Sequence, residues 1–253
     1  MVETKPNLNM NLEGKSIVVI GAAQGIGQAT ARWLSHMGVK LTIADIQNCD
    51  ETLSQCSKDT KFETVDMSDK QQIEALLERA TALDTPLYGV VNCSGVLMRR
   101  PLEQTQKDEI ELQTAVNQSG VFFLARKALE IMEKQGEGRI ILYTSQGAFT
   151  GGFNGSIPYA MNKSAVTALV KSLARIAAPS GITVNAVAPG AADTKMLRGG
   201  MSEDDLENFR KMIPIGRFAD PDELAAPTAF LLSAWAQYIT GTTLHVNGGQ
   251  LMV

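Results

Sequence analysis

The chain is poor in the residues that most metal and redox centres need. Among its 253 residues there are 3 cysteines, Cys49, Cys56 and Cys93. An odd count without a CxxC pair fits neither a disulfide framework nor a zinc site. The 2 histidines, His36 and His245, leave few candidates for imidazole catalysis or metal ligation, and no metal is expected. Basic excess is also missing: 23 Lys and Arg against 27 Asp and Glu give a net charge of −4. A mildly acidic chain without a basic run argues against nucleic acid as a main partner. No apolar stretch approaches the roughly 18 residues of a membrane span, so no membrane partner is expected. The opening residues, MVETKPNLNMNLEGK, lack the cationic start and apolar core of a secretory signal. The reducing cytoplasm is therefore the expected location. Internal repeats, low-complexity segments and linkers are absent as well.

What is present is ordinary globular composition, 44% apolar and 20% charged, which excludes wholesale disorder. Short β-rich apolar runs alternate with longer helical patterns. Strands are expected at Ser16–Ile20, Lys40–Ala44, Lys61–Val65, Leu87–Asn92, Arg139–Thr144, Ile182–Ala188 and Thr243–Val246. Helices are expected at Gly25–Met37, Asp69–Ala82, Gln106–Lys134 and Tyr159–Ala177. This alternation predicts an α/β fold, a single-domain, Rossmann-type doubly wound parallel sheet with helices on both faces. The strand pattern reaches Val246, so a separate substrate domain has no room. Between about 190 and 220 the chain has no strand character and one short helical pattern, Ser202–Met212. A long excursion after a strand's carboxyl end can cover a ligand, so this segment is the expected substrate lid.

The first strand runs into Gly21-Ala22-Ala23-Gln24-Gly25-Ile26-Gly27, a GxxxGxG spacing. Glycines there permit a tight turn and let backbone N–H groups approach a pyrophosphate, and the following helix adds the positive end of its dipole. The second strand ends at Asp45, eighteen residues after Gly27. Dinucleotide folds place an acid there to accept hydrogen bonds from the ribose 2′-OH. A carboxylate also repels a 2′-phosphate, and no Arg or Lys stands at Gln24, Ile46 or Gln47 to compensate. The pair of features points to NAD. Farther along, Tyr159 and Lys163 are four apart and share one helix face. A free phenol has a pKa near ~10 and is a poor base, but a neighbouring cation favours the phenolate. Such a tyrosine can exchange a proton with an alcohol or a ketone.

With these pieces in order, the sequence resembles the short-chain dehydrogenase/reductases, in their short single-domain branch. The matching segments are GAAQGIG at Gly21–Gly27, Asp45, Asp66, Asn92-Cys93-Ser94-Gly95, Asn117, Ser145, YAMNK at Tyr159–Lys163, PGAADT at Pro189–Thr194 and Asn247-Gly248-Gly249. The resemblance implies that Tyr159 is the general acid/base, that Lys163 lowers its pKa and holds the nicotinamide ribose, and that Ser145 orients the reacting oxygen. It implies that Asn117 fixes a water linking Lys163 to solvent. It places Gly21, Gln24, Gly25, Ile26 and Gly27 at the pyrophosphate, Asp45 and Ile46 at the adenosine ribose, and Asp66 and Met67 beside the adenine. It sets Asn92, Ser94 and Gly95 along the cofactor groove, and Pro189, Gly190, Ala192 and Thr194 at the nicotinamide. Ile20 and Cys93 depart from the family's usual Thr and Asn, which brace one another; here an apolar contact between them is expected instead.

The resemblance also implies a homotetramer, or a dimer, with the long helices and the C-terminal segment at the interfaces. The substrate expectation is a small molecule, a secondary alcohol or its ketone, apolar or alicyclic, touching Ser145, Phe153, Met196 and Leu197. Two other readings stand beside it. One is a carrier-bound 3-oxoacyl reductase of the same family, which should prefer NADPH and need a basic surface for its carrier. The other is a nucleotide-binding scaffold without turnover.

Overall fold

A computed structural model describes residues 10–81, 85–152 and 155–253 of the chain. Seven parallel strands form one sheet: β1 (Ser16–Ile20), β2 (Lys40–Asp45), β3 (Lys61–Thr64), β4 (Leu87–Asn92), β5 (Gly138–Tyr143), β6 (Ile182–Pro189) and β7 (Thr243–Val246). Their order is β3-β2-β1-β4-β5-β6-β7, so the winding direction reverses between β1 and β4. A crevice opens outside the strands' carboxyl ends at such a reversal. Strands buried on both faces read as continuous apolar runs, which is why SIVVI and LYGVVN are legible as strands.

Ten helices complete the described residues: α1 (Gly25–His36), α2 (Asp50–Ser54), α3 (Lys70–Thr81), α4 (Lys107–Thr114), α5 (Val121–Glu133), α6 (Gly147–Thr150), α7 (Ile157–Ala177), α8 (Lys195–Arg198), α9 (Glu203–Lys211) and α10 (Asp222–Leu232). Alternate residues of each strand feed opposite layers. Val18 and Ile20 of β1 join α3, α5 and α7 in one apolar cluster, through Leu76, Leu124 and Val170 among others. Ile17 and Val19 join α1 and α10 in a second, through Leu34 and Leu232. The same alternation overturns the expected contact between Ile20 and Cys93. Ile20 belongs to the first cluster, whereas Cys93 packs against the second, where the Thr30 hydroxyl meets its thiol.

The expected elements are found with boundaries within two residues, apart from the ends that fall outside the described residues. The short helices α2, α6 and α8 are not among the expected ones, and two larger features also differ. The long helix expected at Gln106–Lys134 is interrupted by a six-residue π-helical turn, Ala115–Gly120, between α4 and α5. At its end the backbone packs closely: a Cβ on Gly120 would lie 2.0 Å from the carbonyl oxygen of Met67, so only glycine fits there. The second is α10, which sequence pattern does not announce. It is apolar nearly all round and carries Pro227 inside, so no amphipathic stripe marks it.

Candidate active site

Every motif quoted for the site lies at the carboxyl edge of the sheet. The β1–α1 turn carries Gly21, Gln24, Gly25, Ile26 and Gly27. Gly21 has φ +81°, and a Cβ there would lie 2.5 Å from Ser94 N. A Cβ on Gly27 would lie 2.0 Å from the Gly21 carbonyl oxygen. The turn is therefore folded on itself and pressed against the end of β4, with room for backbone only. Asp45, at the end of β2, is buried. Its carboxylate accepts from Ala23 N at 3.0 Å and from Gln47 N at 2.9 Å, so it is pinned to the glycine turn. Ile46 beside it is exposed. Asp66 and Met67 follow β3, and the Met67 side chain is buried in the core.

The chemically active side chains come from β4, β5, α7 and the π-helical turn. Ser145 follows β5, and its Oγ accepts from Gly147 N at 3.0 Å. Tyr159 and Lys163 sit one turn apart on α7, as their spacing requires. Lys163 is only 2% exposed. Its Nζ donates to the Tyr143 carbonyl at 2.8 Å and lies 5.5 Å from the centre of the Tyr159 ring. Thr144 Oγ1 donates to the Lys163 carbonyl at 2.7 Å, which ties α7 to the end of β5. Asn117 lies inside the π-helical turn and clasps the Val96 backbone, accepting at 2.8 Å and donating at 2.7 Å. Gly95 separates it from the lysine: a Cβ there would lie 3.2 Å from Asn117 Oδ1 and 3.7 Å from Lys163 Nζ. Asn92 Oδ1 accepts from the Ser94 hydroxyl at 2.7 Å, while the buried Asn92 Nδ2 has no partner.

Burial governs both titratable groups. It pushes the Tyr159 phenol up to about 12, opposed by the Arg99 guanidinium. It pushes the Lys163 ammonium down to about 8, opposed by the neighbouring Cys93. The Arg99 guanidinium thus opposes the rise at the phenol, and Lys163 Nζ faces the Tyr159 ring while donating to the Tyr143 carbonyl.

These groups open onto a cleft of about 320 Å³. Of the sequence-predicted residues, Ile26, Ser94, Gly95, Ser145, Tyr159 and Lys163 line it, as do Pro189, Gly190, Ala192 and Thr194 after β6. Met196 and Leu197, expected at the substrate, also line it. Phe153, the other expected substrate contact, lies outside the described residues. Asp45, Ile46, Asp66 and Met67 are not on its wall; they extend the same edge past β2 and β3. Residues that sequence reading missed include Tyr143, Gln146, Asp205 and Asn208. Tyr143 resembles any strand tyrosine, yet its carbonyl holds Lys163 and its hydroxyl donates to the Leu224 carbonyl at 3.1 Å. The pair Arg99-Arg100 divides: Arg100 is ion-paired to Glu109 at 2.9 Å, and Arg99 lines the cleft.

A family model described as enoyl-(acyl carrier protein) reductase matches residues 21–250. The chain belongs to the short-chain dehydrogenase/reductase family. As a short-chain dehydrogenase/reductase it is an oxidoreductase. It is 37% identical over 246 residues to the 3-oxoacyl-[acyl-carrier-protein] reductase FabG of Escherichia coli K12, covering 96% of this chain and 100% of that protein. The FabG of Vibrio cholerae El Tor is 36% identical over 248 residues, with the same coverage. Among solved structures, levodione reductase superposes with a TM-score of 0.90 at 29% identity, covering 95% of this chain and 98% of that one.

The family's nicotinamide cofactor fits what this member presents. The glycine turn leaves no room for side chains, an anchored carboxylate stands at the end of β2, and the buried Asn92 Nδ2 at the end of β4 has no partner. Among the described residues no group of three or more His, Cys, Asp or Glu side chains is placed to hold a metal ion. No described helix is long and apolar enough to cross a membrane.

Proposed function

We propose that this oxidoreductase transfers a hydride between NAD(H) and a secondary alcohol or its ketone, with an apolar or alicyclic substrate. The observation that carries the NAD reading is the Asp45 carboxylate, fixed by two backbone N–H groups at the end of β2. A carboxylate so held accepts from a ribose 2′-OH and repels a 2′-phosphate. The rival carrier-bound reductase draws support from the printed activity of the FabG relatives. Asp45 and the net charge of −4 argue against it, since an acidic carrier calls for a basic surface.

The dinucleotide, when bound, supplies the hydride acceptor or donor. Gly21, Gln24, Gly25, Ile26 and Gly27 hold its pyrophosphate, and Asp45 and Ile46 its adenosine ribose. Asp66 and Met67 face the adenine, and Asn92, Ser94 and Gly95 line the groove. Pro189, Gly190, Ala192 and Thr194 hold the nicotinamide. Tyr159 exchanges the proton at the substrate oxygen. Burial alone makes the phenol a reluctant acid, and positive charge beside it is what lowers the barrier to its ionisation. Ser145 Oγ, already accepting from Gly147 N, has its own proton free to donate to the same substrate oxygen. Lys163 holds the nicotinamide ribose, and Asn117 keeps the neighbouring β4 loop in place for a water path. The segment at about 190–220 is the substrate lid of a single domain, and Met196 and Leu197 give its inner face an apolar wall. Phe153 is the further contact proposed there.

We read the assembly as a homotetramer, or else a dimer, in the cytoplasm. Ile110, Leu112, Phe122, Ile157, Met161 and Ile176 on α4, α5 and α7 are exposed apolar side chains suited to such contacts. The test has two parts. Fluorescence titration should show much tighter binding of NADH than of NADPH; equal or tighter NADPH binding moves the carrier reductase to the front. Tyr159→Phe should lose about 10²–10⁴-fold in turnover, the worth of a general acid/base, while NADH binding persists. Unchanged turnover in that variant would overturn the mechanism.

A further inference from the structure

Arg99 is half-buried on the loop after β4, and its surroundings are unusual for an arginine. Among the described residues no acid is ion-paired with it, whereas Arg100 next to it is paired with Glu109. Its Nη1 donates to two backbone carbonyls across the cleft, that of Met196 at 3.3 Å and that of Gly199. Those carbonyls belong to α8 and to the residue that ends it. A helix of four residues has no stability of its own, and its last carbonyls have no partner within the helix. A cation at that end satisfies them and meets the negative pole of the dipole. The apolar support beneath α8 is small: the buried residues of its cluster are Ala191, Leu197, Leu206 and Ile213. Arg99 also lines the cleft beside Tyr159 and Met196.

We propose that Arg99 is a positioning residue that straps the lid to the β4 loop across the mouth of the substrate cavity. The idea rests on the lid reading above and adds to it the contact that holds the lid down. The strap reaches the lid on the substrate side of Tyr159 and does not involve the glycine turn or Asp45, which places its effect on substrate retention rather than on dinucleotide binding. The guanidinium is partly desolvated, and burial pulls its pKa down from the usual value. The two lid carbonyls are what repay that desolvation, so strap and lid stabilise each other.

Hydrogen exchange at residues 195–201 of the ligand-free protein, in Arg99→Met and Arg99→Lys, is the primary test. Losing charge-assisted hydrogen bonds should speed exchange at 195–201 in Arg99→Met by about 10-fold or more, with β5 unchanged. Arg99→Lys, which keeps the charge but loses the fork, should recover part of it. With a neutral ketone, KM should rise by a similar ~10-fold with NADH affinity unaltered, and the pH profile of kcat should move up in Arg99→Met, which removes the charge opposing the rise at the Tyr159 phenol, but not in Arg99→Lys. Unchanged exchange at 195–201 would overturn the strap. So would a loss confined to acidic ketones with exchange unchanged, since that pattern marks Arg99 as an anion anchor. The exchange measurement needs neither cofactor nor turnover. A wild-type protein that failed to bind NADH would sink the proposed function and leave the strap to be judged on its own.

Discussion

At the β1–β2 end of the sheet's carboxyl edge the packing is backbone on backbone. Gly21 and Gly27 leave no space for side chains, and Asp45 is fixed by main-chain N–H groups. At the β6 end the wall is side chains carried on α8 and α9, short helices over a small apolar cluster. The first construction gives one geometry, because close-packed backbone has few alternatives. The second gives a surface that can change residue by residue without touching the sheet. A dinucleotide is the same molecule in every turnover, so a rigid backbone mould suits it. A substrate class is set by apolar shape, which exchangeable side chains can follow.

The sharpest way to break this contrast is Gly27→Ala. Its Cβ would meet the Gly21 carbonyl oxygen at 2.0 Å, and both atoms are backbone that cannot swing away. Overpacking of this kind costs about 1–3 kcal/mol, and the strain falls on the turn itself. NADH affinity should drop by about 100-fold, since a displaced turn loses its aligned donors together. Titration of the purified variant checks this; near-normal affinity would mean that the turn is softer than its packing indicates.

Leu206→Ala probes the other end and should have a smaller effect. Leu206 is buried within the lid cluster, on a helix begun by the Ser202–Asp205 capping box. The site can collapse, because its neighbours are few, so the loss in stability should fall below the ~2–5 kcal/mol expected for a well-packed core leucine. Leu124→Ala in α5 is the core reference for that comparison. Denaturant midpoints compare the two, and substrate KM should rise a few-fold in Leu206→Ala with NADH affinity unchanged. A cost equal to that of Leu124→Ala would erase the distinction between lid and core.

The same division explains what could be read from residues alone. Strands buried on both faces leave continuous apolar runs, and the glycine turn needs glycine at fixed positions, so the sheet and the cofactor end are written locally. Tyr159, Lys163 and Ser145 are legible through spacing and resemblance. The π-helical turn is not, and the contact that requires glycine at its end, with the Met67 carbonyl, joins residues far apart in sequence. The place of Arg99 is hidden for the same reason: adjacent arginines look alike until the fold pairs one with Glu109 and turns the other into the cleft. Ile20 and Cys93 mislead because the strand partner of Ile20 is Asn92, and Cys93, the next residue, faces the opposite layer.

Lys163 stands where the two constructions meet, and it offers the finest test. Its folded value of about 8 lies below the ordinary 10.5. Between those values the unfolded chain binds more protons than the folded one, so stability rises with pH across that window. Below about 8 the lysine is charged in both states, and the burial penalty is fully present. The hydrogen bond to the Tyr143 carbonyl offsets part of that penalty, so the gain should be on the order of 1 kcal/mol. Lys163→Met removes the titration while keeping an unbranched side chain in the slot. Chemical denaturation of both proteins at about pH 7.5 and 9.5 isolates the lysine, since groups common to the two cancel in the difference. Wild type should gain stability relative to Lys163→Met as pH rises. Parallel behaviour would mean that water reaches the ammonium, and that the seam between the backbone mould and the lid is open rather than dry.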